Sequence, residues 1–202
     1  MRLTTADGEE LDAVWSEPGE VDRAVVFCHP HPLHRGTMRA PLMEQVTRRL
    51  TAAGVAVLRF DFRGVGTSTG AHEDGVGELA DIDAAWKEAH NRHPDAVAGI
   101  VGWSFGAATS LSWVADRAVE TTWVGIAPPL SSGLTPSLPD PISVPGRRVI
   151  IVGDRDQFVT SPDLATYAAS VAAEFHTVPG SDHFFYFRED RLAVLVLDGL
   201  RR

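Results

Sequence analysis

Gly102-Trp103-Ser104-Phe105-Gly106 sets a serine between two glycines placed symmetrically about it. The spacing alone recurs by chance, so its setting has to give it meaning. The segment follows the apolar run Val97 to Val101 and precedes a helix candidate from Ala107 to Ala118. A strand that turns sharply into a helix strains the residue at the turn, and positions two before and two after it must be small where neighbouring chain passes close by. Ser104 is then held out at the carboxyl end of its strand. A serine hydroxyl is a weak nucleophile near neutral pH unless a base takes its proton, and histidine is the side chain whose unperturbed pKa suits that task. Of the eight histidines, His183 alone follows the last strand candidate, in the turn-rich Pro179-Gly180-Ser181-Asp182-His183. It completes the chain order serine, acid, histidine. The acid should follow the preceding strand, Val149 to Val152, which runs into Gly153-Asp154-Arg155-Asp156-Gln157. Either Asp154 or Asp156 could accept the second imidazole N–H, fix the tautomer and stabilise the imidazolium. His72, His90, His93 and His176 fall in predicted loops, helix ends or a strand and are expected to be solvated.

Acyl transfer also needs donors aimed at the oxyanion, and losing one typically costs ~10²–10³ in turnover. One is the backbone N–H of Phe105, next after the serine. The other should come from the loop after the first buried parallel strand, His29-Pro30-His31-Pro32-Leu33-His34, where the prolines stiffen the backbone and carry no N–H. His31 and Leu33 remain, and His31 is preferred because it lies nearer the strand end. The same segment supports a rival chemistry: His29, His31 and His34 have the H-x-H-x-x-H spacing with which binuclear zinc hydrolases hold metal. Leu33 stands where such sites carry an aspartate, and a metal site would leave the serine turn unexplained. Structural loop histidines are therefore favoured, with no metal and no other cofactor expected.

These loops must be brought together by a scaffold. Ala24 to Cys28, Val55 to Phe60, Val97 to Val101 and Val149 to Val152 read as buried strands, with weaker candidates at Leu11 to Trp15, Trp123 to Ala127 and Phe175 to Val178. Helical spacing joins them: Leu42, Val46, Leu50 and Ala53 closed by Gly54; Val76, Leu79, Ile82 and Trp86; and a last helix from about Glu189 to Leu200. Ser161-Pro162-Asp163 offers an N-cap, a first-turn proline and an acid for the helix dipole. Strands alternating with helices predict parallel βαβ units in an open α/β sheet covered on both faces. Residues 1–202 are expected to form one domain. The composition, 44% hydrophobic and 22% charged, is that of a chain folding throughout. A net charge of −9 without a basic run disfavours nucleic acid and anionic membrane as partners. No apolar stretch near the start or later reads as a signal or membrane span, so a cytoplasmic location is expected. The single cysteine, Cys28, lies in an apolar run and reads as core.

The segments HPHPLHRGTM from His29, RFDFRGVGTSTG from Arg59, GWSFGA from Gly102, GDRDQFV from Gly153 and GSDHFF from Gly180 together resemble small, lidless α/β-hydrolase-superfamily serine hydrolases of the dienelactone-hydrolase-like and esterase-like kind. The resemblance implies a mostly parallel, twisted sheet of about eight strands with helices on both faces and no large lid. It also implies a Ser104, Asp156, His183 triad, no cofactor and a small-molecule acyl substrate. Asp156 is preferred on a second ground, since Asp154 directly follows the strand's closing glycine, where an aspartate commonly bonds its own backbone. His34 and Arg35 stand where an aromatic residue and a glycine are expected, and Thr160 where a proline is usual. Asp61-Phe62-Arg63-Gly64 reads as a structural turn. Pro128 to Gly146, Trp103 and Phe105 are candidates to shape the pocket, the two aromatics serving equally well as core. The expected activity is that of a carboxylesterase or thioesterase, the alternative being a silent α/β-hydrolase fold that binds a small molecule.

Overall fold

The computed structural model describes residues 1–130, 137–139 and 144–201. Eight strands form one sheet in the order β1-β2-β4-β3-β5-β6-β7-β8. They are β1 (Arg2–Thr4), β2 (Glu10–Ser16), β3 (Arg23–Cys28), β4 (Val55–Phe60), β5 (Val97–Trp103), β6 (Thr122–Ile126), β7 (Arg148–Gly153) and β8 (Glu174–Val178). β1 and β2 run antiparallel at one edge, and every pairing from β4 through to β8 is parallel. The five helices are α1 (Pro41–Ala52), α2 (Glu78–Arg92), α3 (Phe105–Arg117), α4 (Ser161–Ser170) and α5 (Glu189–Leu200).

Two hydrophobic layers flank the sheet. Leu42, Met43, Val46 and Leu50 of α1 lie on one helix face and pack with α5 against the odd residues of β4, Val55 and Val57. The opposite layer holds Ile82 and Ala85 of α2, Leu111 and Val114 of α3, and Leu164 of α4. With both faces covered, β4 is buried at all six positions, which is why such strands read as continuous apolar runs rather than alternating ones. β1 and β8 occupy the edges, where only Leu3 and Val178 are buried in their strands, and so they carry little pattern. Among the described residues no helix is long and apolar enough to cross a membrane.

Two element ends differ from the sequence reading. The cap of α4 is Thr160, whose Oγ1 accepts from the Asp163 N–H at 3.3 Å, so Ser161 is the first helical residue. That gives the threonine found in place of a proline a capping role. α2 begins at Glu78, and Val76 is 74% exposed. Most of Pro128 to Gly146, proposed as a pocket wall, lies outside the described residues.

Candidate active site

The carboxyl ends of β3, β5, β7 and β8 all face the same rim, because parallel strands joined by helices present every βα loop on one side. The strand order reverses between β3 and β5, which are adjacent although β4 follows β3 in the chain.

Ser104 stands at the turn from β5 into α3 with φ 54° and ψ −118°, in the positive-φ region that L-residues avoid. Its backbone is held from both sides: its N–H donates to the Ile126 carbonyl at 2.8 Å, and its carbonyl accepts from Ala107 N–H at 2.9 Å. The flanking glycines are steric necessities. A Cβ on Gly106 would lie 2.4 Å from the His29 carbonyl oxygen, and one on Gly102 would lie 2.4 Å from the Gly106 oxygen. Strain at one residue, enforced by packing of its neighbours, is the arrangement that presents a nucleophile.

His183 follows β8, and its Nδ1 lies 2.8 Å from Asp156 Oδ2. The Asp156 side chain is fully buried and the imidazole is 7% exposed. Asp156 Oδ1 accepts from the N–H groups of Phe158 and Val159, both at 2.9 Å, so one oxygen is fixed by its own loop and the other is aimed at the histidine. Nδ1 is thereby assigned the proton and Nε2 is left as the basic nitrogen. The Trp103 indole donates to the His183 carbonyl at 3.2 Å, tying the residue before the serine to the histidine. The two aspartates divide their bonds in the opposite way to that expected from the turn. Asp156 is the aspartate that bonds its own backbone, whereas Asp154 Oδ1 reaches across to accept from Gly180 N–H at 2.6 Å and so braces the histidine's loop.

On the other side of the serine, the Phe105 N–H is the first of α3 and has no intrahelical acceptor. The His31 and Phe105 rings pack 5.1 Å apart, which sets the loop after β3 beside the start of α3. The Leu33 N–H donates to His31 Nδ1 at 3.2 Å and is therefore engaged, and the Leu33 side chain is 69% exposed. Arg35 takes φ 65°, the conformation for which a glycine was expected.

The histidine cluster is not arranged as a metal site. His29 is fully buried; its Nδ1 donates to the Pro30 carbonyl at 2.6 Å and its Nε2 accepts from Phe62 N–H at 3.0 Å, so both ring nitrogens are taken by backbone. Burial pushes its pKa down to about 4. No group of three or more potential metal ligands occurs among the described residues.

His72 is not solvated. Its side chain is 7% exposed, its Nδ1 lies 2.6 Å from the fully buried Glu78 Oε1, its Nε2 lies 3.3 Å from Asp74, and its ring packs on His31 and Phe105. His93 is likewise largely covered, paired with Glu17 at 2.9 Å. Asp61 and Arg63 are structural, as the turn reading implies: Asp61 Oδ1 accepts from Met38 N–H at 2.7 Å and Arg63 pairs with Asp81 at 2.9 Å. Trp103 and Phe105 are core, 4% and 0% exposed. The aromatics that do face solvent here are Phe158, Phe184, Tyr186 and Phe187, which sequence reasoning missed. The signal was the unbroken run Phe184-Phe185-Tyr186-Phe187, with neither helical nor strand period, directly after the histidine.

A largely parallel sheet of this order, with a left-handed serine at the turn out of one of its inner strands, places the molecule among the α/β hydrolases. The family model described as serine aminopeptidase, S33 (Hydrolase_4) matches residues 19–149. An uncharacterized protein of Rickettsia prowazekii (strain Madrid E) is 31% identical over 185 residues, covering 87% of this chain and 77% of that protein. Among solved structures, an alpha-beta serine hydrolase homologue from Coxiella burnetii matches with TM-score 0.86 and 29% identity over 99% of this chain and 96% of that one. A protein from Xanthomonas campestris described as an a/b serine hydrolase without lid matches with TM-score 0.82 and 26% identity over 100% of this chain and 93% of that one. The chain belongs to this α/β-hydrolase family and is a hydrolase.

Proposed function

We propose that the protein is a serine hydrolase of the carboxylesterase or thioesterase type, acting on small or medium acyl substrates through an acyl-enzyme on Ser104. The observation that carries this reading is the Asp156–His183 pair at 2.8 Å, on the same rim as a serine held at φ 54°. Ser104 Oγ attacks the carbonyl carbon while His183 Nε2 takes its proton, and the Asp156 carboxylate stabilises the imidazolium. The N–H groups of Phe105 and His31 hold the oxyanion, His31 being preferred to Leu33 because it lies nearer the end of β3. His183 then returns the proton to the departing alkoxide or thiolate. Water, activated by the same imidazole, releases the carboxylic acid.

The test is a fluorophosphonate probe together with p-nitrophenyl acetate and an aminoacyl p-nitroanilide. Stoichiometric labelling of Ser104, lost in Ser104→Ala, with turnover of the ester and resistance to chelators, is expected. Labelling elsewhere, or none, would leave a binding protein on a hydrolase fold. Turnover of the anilide in preference to the ester would make the protein an aminopeptidase instead.

A further inference from the structure

Three aromatic rings stand in solvent next to the histidine: Phe158 at 68% exposure, Phe184 at 37% and Tyr186 at 59%. Phe158 meets the His183 ring edge-on at 5.0 Å, Phe184 meets it at 5.7 Å, and Phe184 and Tyr186 stack on each other at 5.6 Å. Contiguous exposed apolar surface of this kind is uncommon on soluble proteins away from binding sites. The backbone that carries it is strained. Phe185 has φ 54° and Phe187 φ 62°, and Phe185 is driven fully into the core, which turns Phe184 and Tyr186 outward. Asp182 fixes the turn, its Oδ1 accepting from the N–H groups of Phe184 at 3.1 Å and Tyr186 at 3.4 Å. The loop thus builds a rigid aromatic ledge.

Its position says which part of a substrate it meets. His183 Nδ1 is committed to Asp156, so the leaving-group oxygen must come within hydrogen-bond reach of Nε2 to receive its proton. Phe158 and Phe184 flank that same imidazole. The oxyanion donors sit after β3 and at the start of α3, whereas the histidine follows β8 at the sheet edge, three strands from β5. The departing group therefore lies over the ledge, and the carbonyl oxygen lies away from it.

We propose that Phe158, Phe184 and Tyr186 form a leaving-group subsite that selects esters or thioesters whose departing alcohol or thiol carries a flat aromatic group. The inference rests on the serine hydrolase reading. In the step concerned, the bond from Ser104 Oγ to the acyl carbon forms, the bond from that carbon to the leaving oxygen or sulfur breaks, and the serine proton passes through His183 to the released alcohol or thiol.

Methyl, cyclohexylmethyl and benzyl acetates test it, because all three give the same acetyl-enzyme and their kcat/KM values differ only in acylation. Benzyl acetate should exceed methyl acetate by about tenfold and cyclohexylmethyl acetate by about threefold, the latter reflecting stacking beyond area burial. Both advantages should vanish in Phe184→Ala and shrink in Phe158→Ala, surface substitutions that leave the fold intact, while the ratio of ethyl benzoate to ethyl acetate stays unchanged. Equal rates for the three acetates, a uniform loss on all esters, a change confined to the benzoate ratio, or a shift in oligomeric state in its place would each overturn the proposal. If Ser104 is not labelled and no ester turns over, the hydrolase reading fails instead. Benzyl alcohol titrated by NMR then still reads the ledge: saturable shifts lost in Phe184→Ala support an aryl-alcohol site, and their absence in the wild type removes it.

Discussion

The two oxygens of Asp156 have separate duties, and this sharpens what an amide should do in its place. In Asp156→Asn the oxygen can keep the Phe158 and Val159 N–H groups, so the NH₂ must face His183 Nδ1 and impose the wrong tautomer. Turnover should fall by up to ~10⁴ with an unchanged thermal melt. Asp154→Ala removes a single bond to Gly180 N–H, so it should cost about 1 kcal/mol of stability and little catalysis. A collapse of activity in a well-folded Asp154 variant would reverse the assignment of the acid. His29 offers a second residue-scale test. Its folded pKa of about 4 lies below the unfolded value of ~6.5, so between these pH values the unfolded chain binds a proton that the folded one refuses. That contribution to stability is complete above pH ~6.5 and is lost as pH falls towards 4, up to about 3 kcal/mol. Asp81, pushed up to about 6 by burial against the pull of Arg63, acts in the opposite sense over much the same range. The difference between wild type and His29→Asn is therefore the quantity to measure, by urea unfolding at pH 6.5 and 4.5. The wild type should lose more on acidification than the variant, and equal losses would contradict a neutral buried His29. At this scale the candidate site was largely legible, since residue type and chain order single out Ser104 and His183. The choice of aspartate was reached partly through a wrong premise, because which backbone an aspartate bonds depends on loops that close only in three dimensions.

In the proposed mechanism the elbow between β5 and α3 is the element on which the chemistry turns. Gly106→Ala would drive a methyl group against the His29 and Cys28 carbonyls, at 2.4 and 2.5 Å, and force α3 away from the end of β3. The expected cost is about 1–3 kcal/mol in stability. The Phe105 N–H moves with the helix, so fluorophosphonate labelling of Ser104 should slow by more than about tenfold. Labelling at the wild-type rate would show that the turn tolerates more than its packing suggests. The inner strands could be read from the sequence because burial on both faces makes them uniformly apolar, and the helices between them because their buried faces keep helical spacing. β1 could not, having one buried residue in three. The start of α2 was misplaced for a different reason. Glu78 is fully buried and folds back to accept from Gly75 N–H at 2.9 Å and Glu73 N–H at 3.1 Å, closing the turn before the helix with a polar side chain that no hydrophobic period records. The same carboxylate hides His72, and the ledge beside His183 escaped notice because exposed aromatics imitate core in one dimension.

Across the molecule, Arg63 ties together parts that the sheet alone does not. Its buried guanidinium pairs with Asp81 of α2 at 2.9 Å and with Glu73 and Asp7, each at 3.0 Å, linking the turn between β1 and β2 to the loop after β4. Arg63→Met would leave Asp81 buried without a counter-charge, so a loss of about 3–5 kcal/mol is expected. In a chain of this size that is a fall in Tm of about 10 °C. Adding Asp81→Asn should restore most of it, and no restoration would show that the arginine acts through packing alone. Cys28 has a different kind of reach. The thiol is fully buried at the end of β3, between β4 and β5, and burial pushes its pKa up. A maleimide or disulfide reagent can therefore attack only after the middle of the sheet has parted. With one cysteine in the chain, the rate of its modification under native conditions becomes a clock for whole-molecule opening, read in the absence of denaturant and without touching the serine.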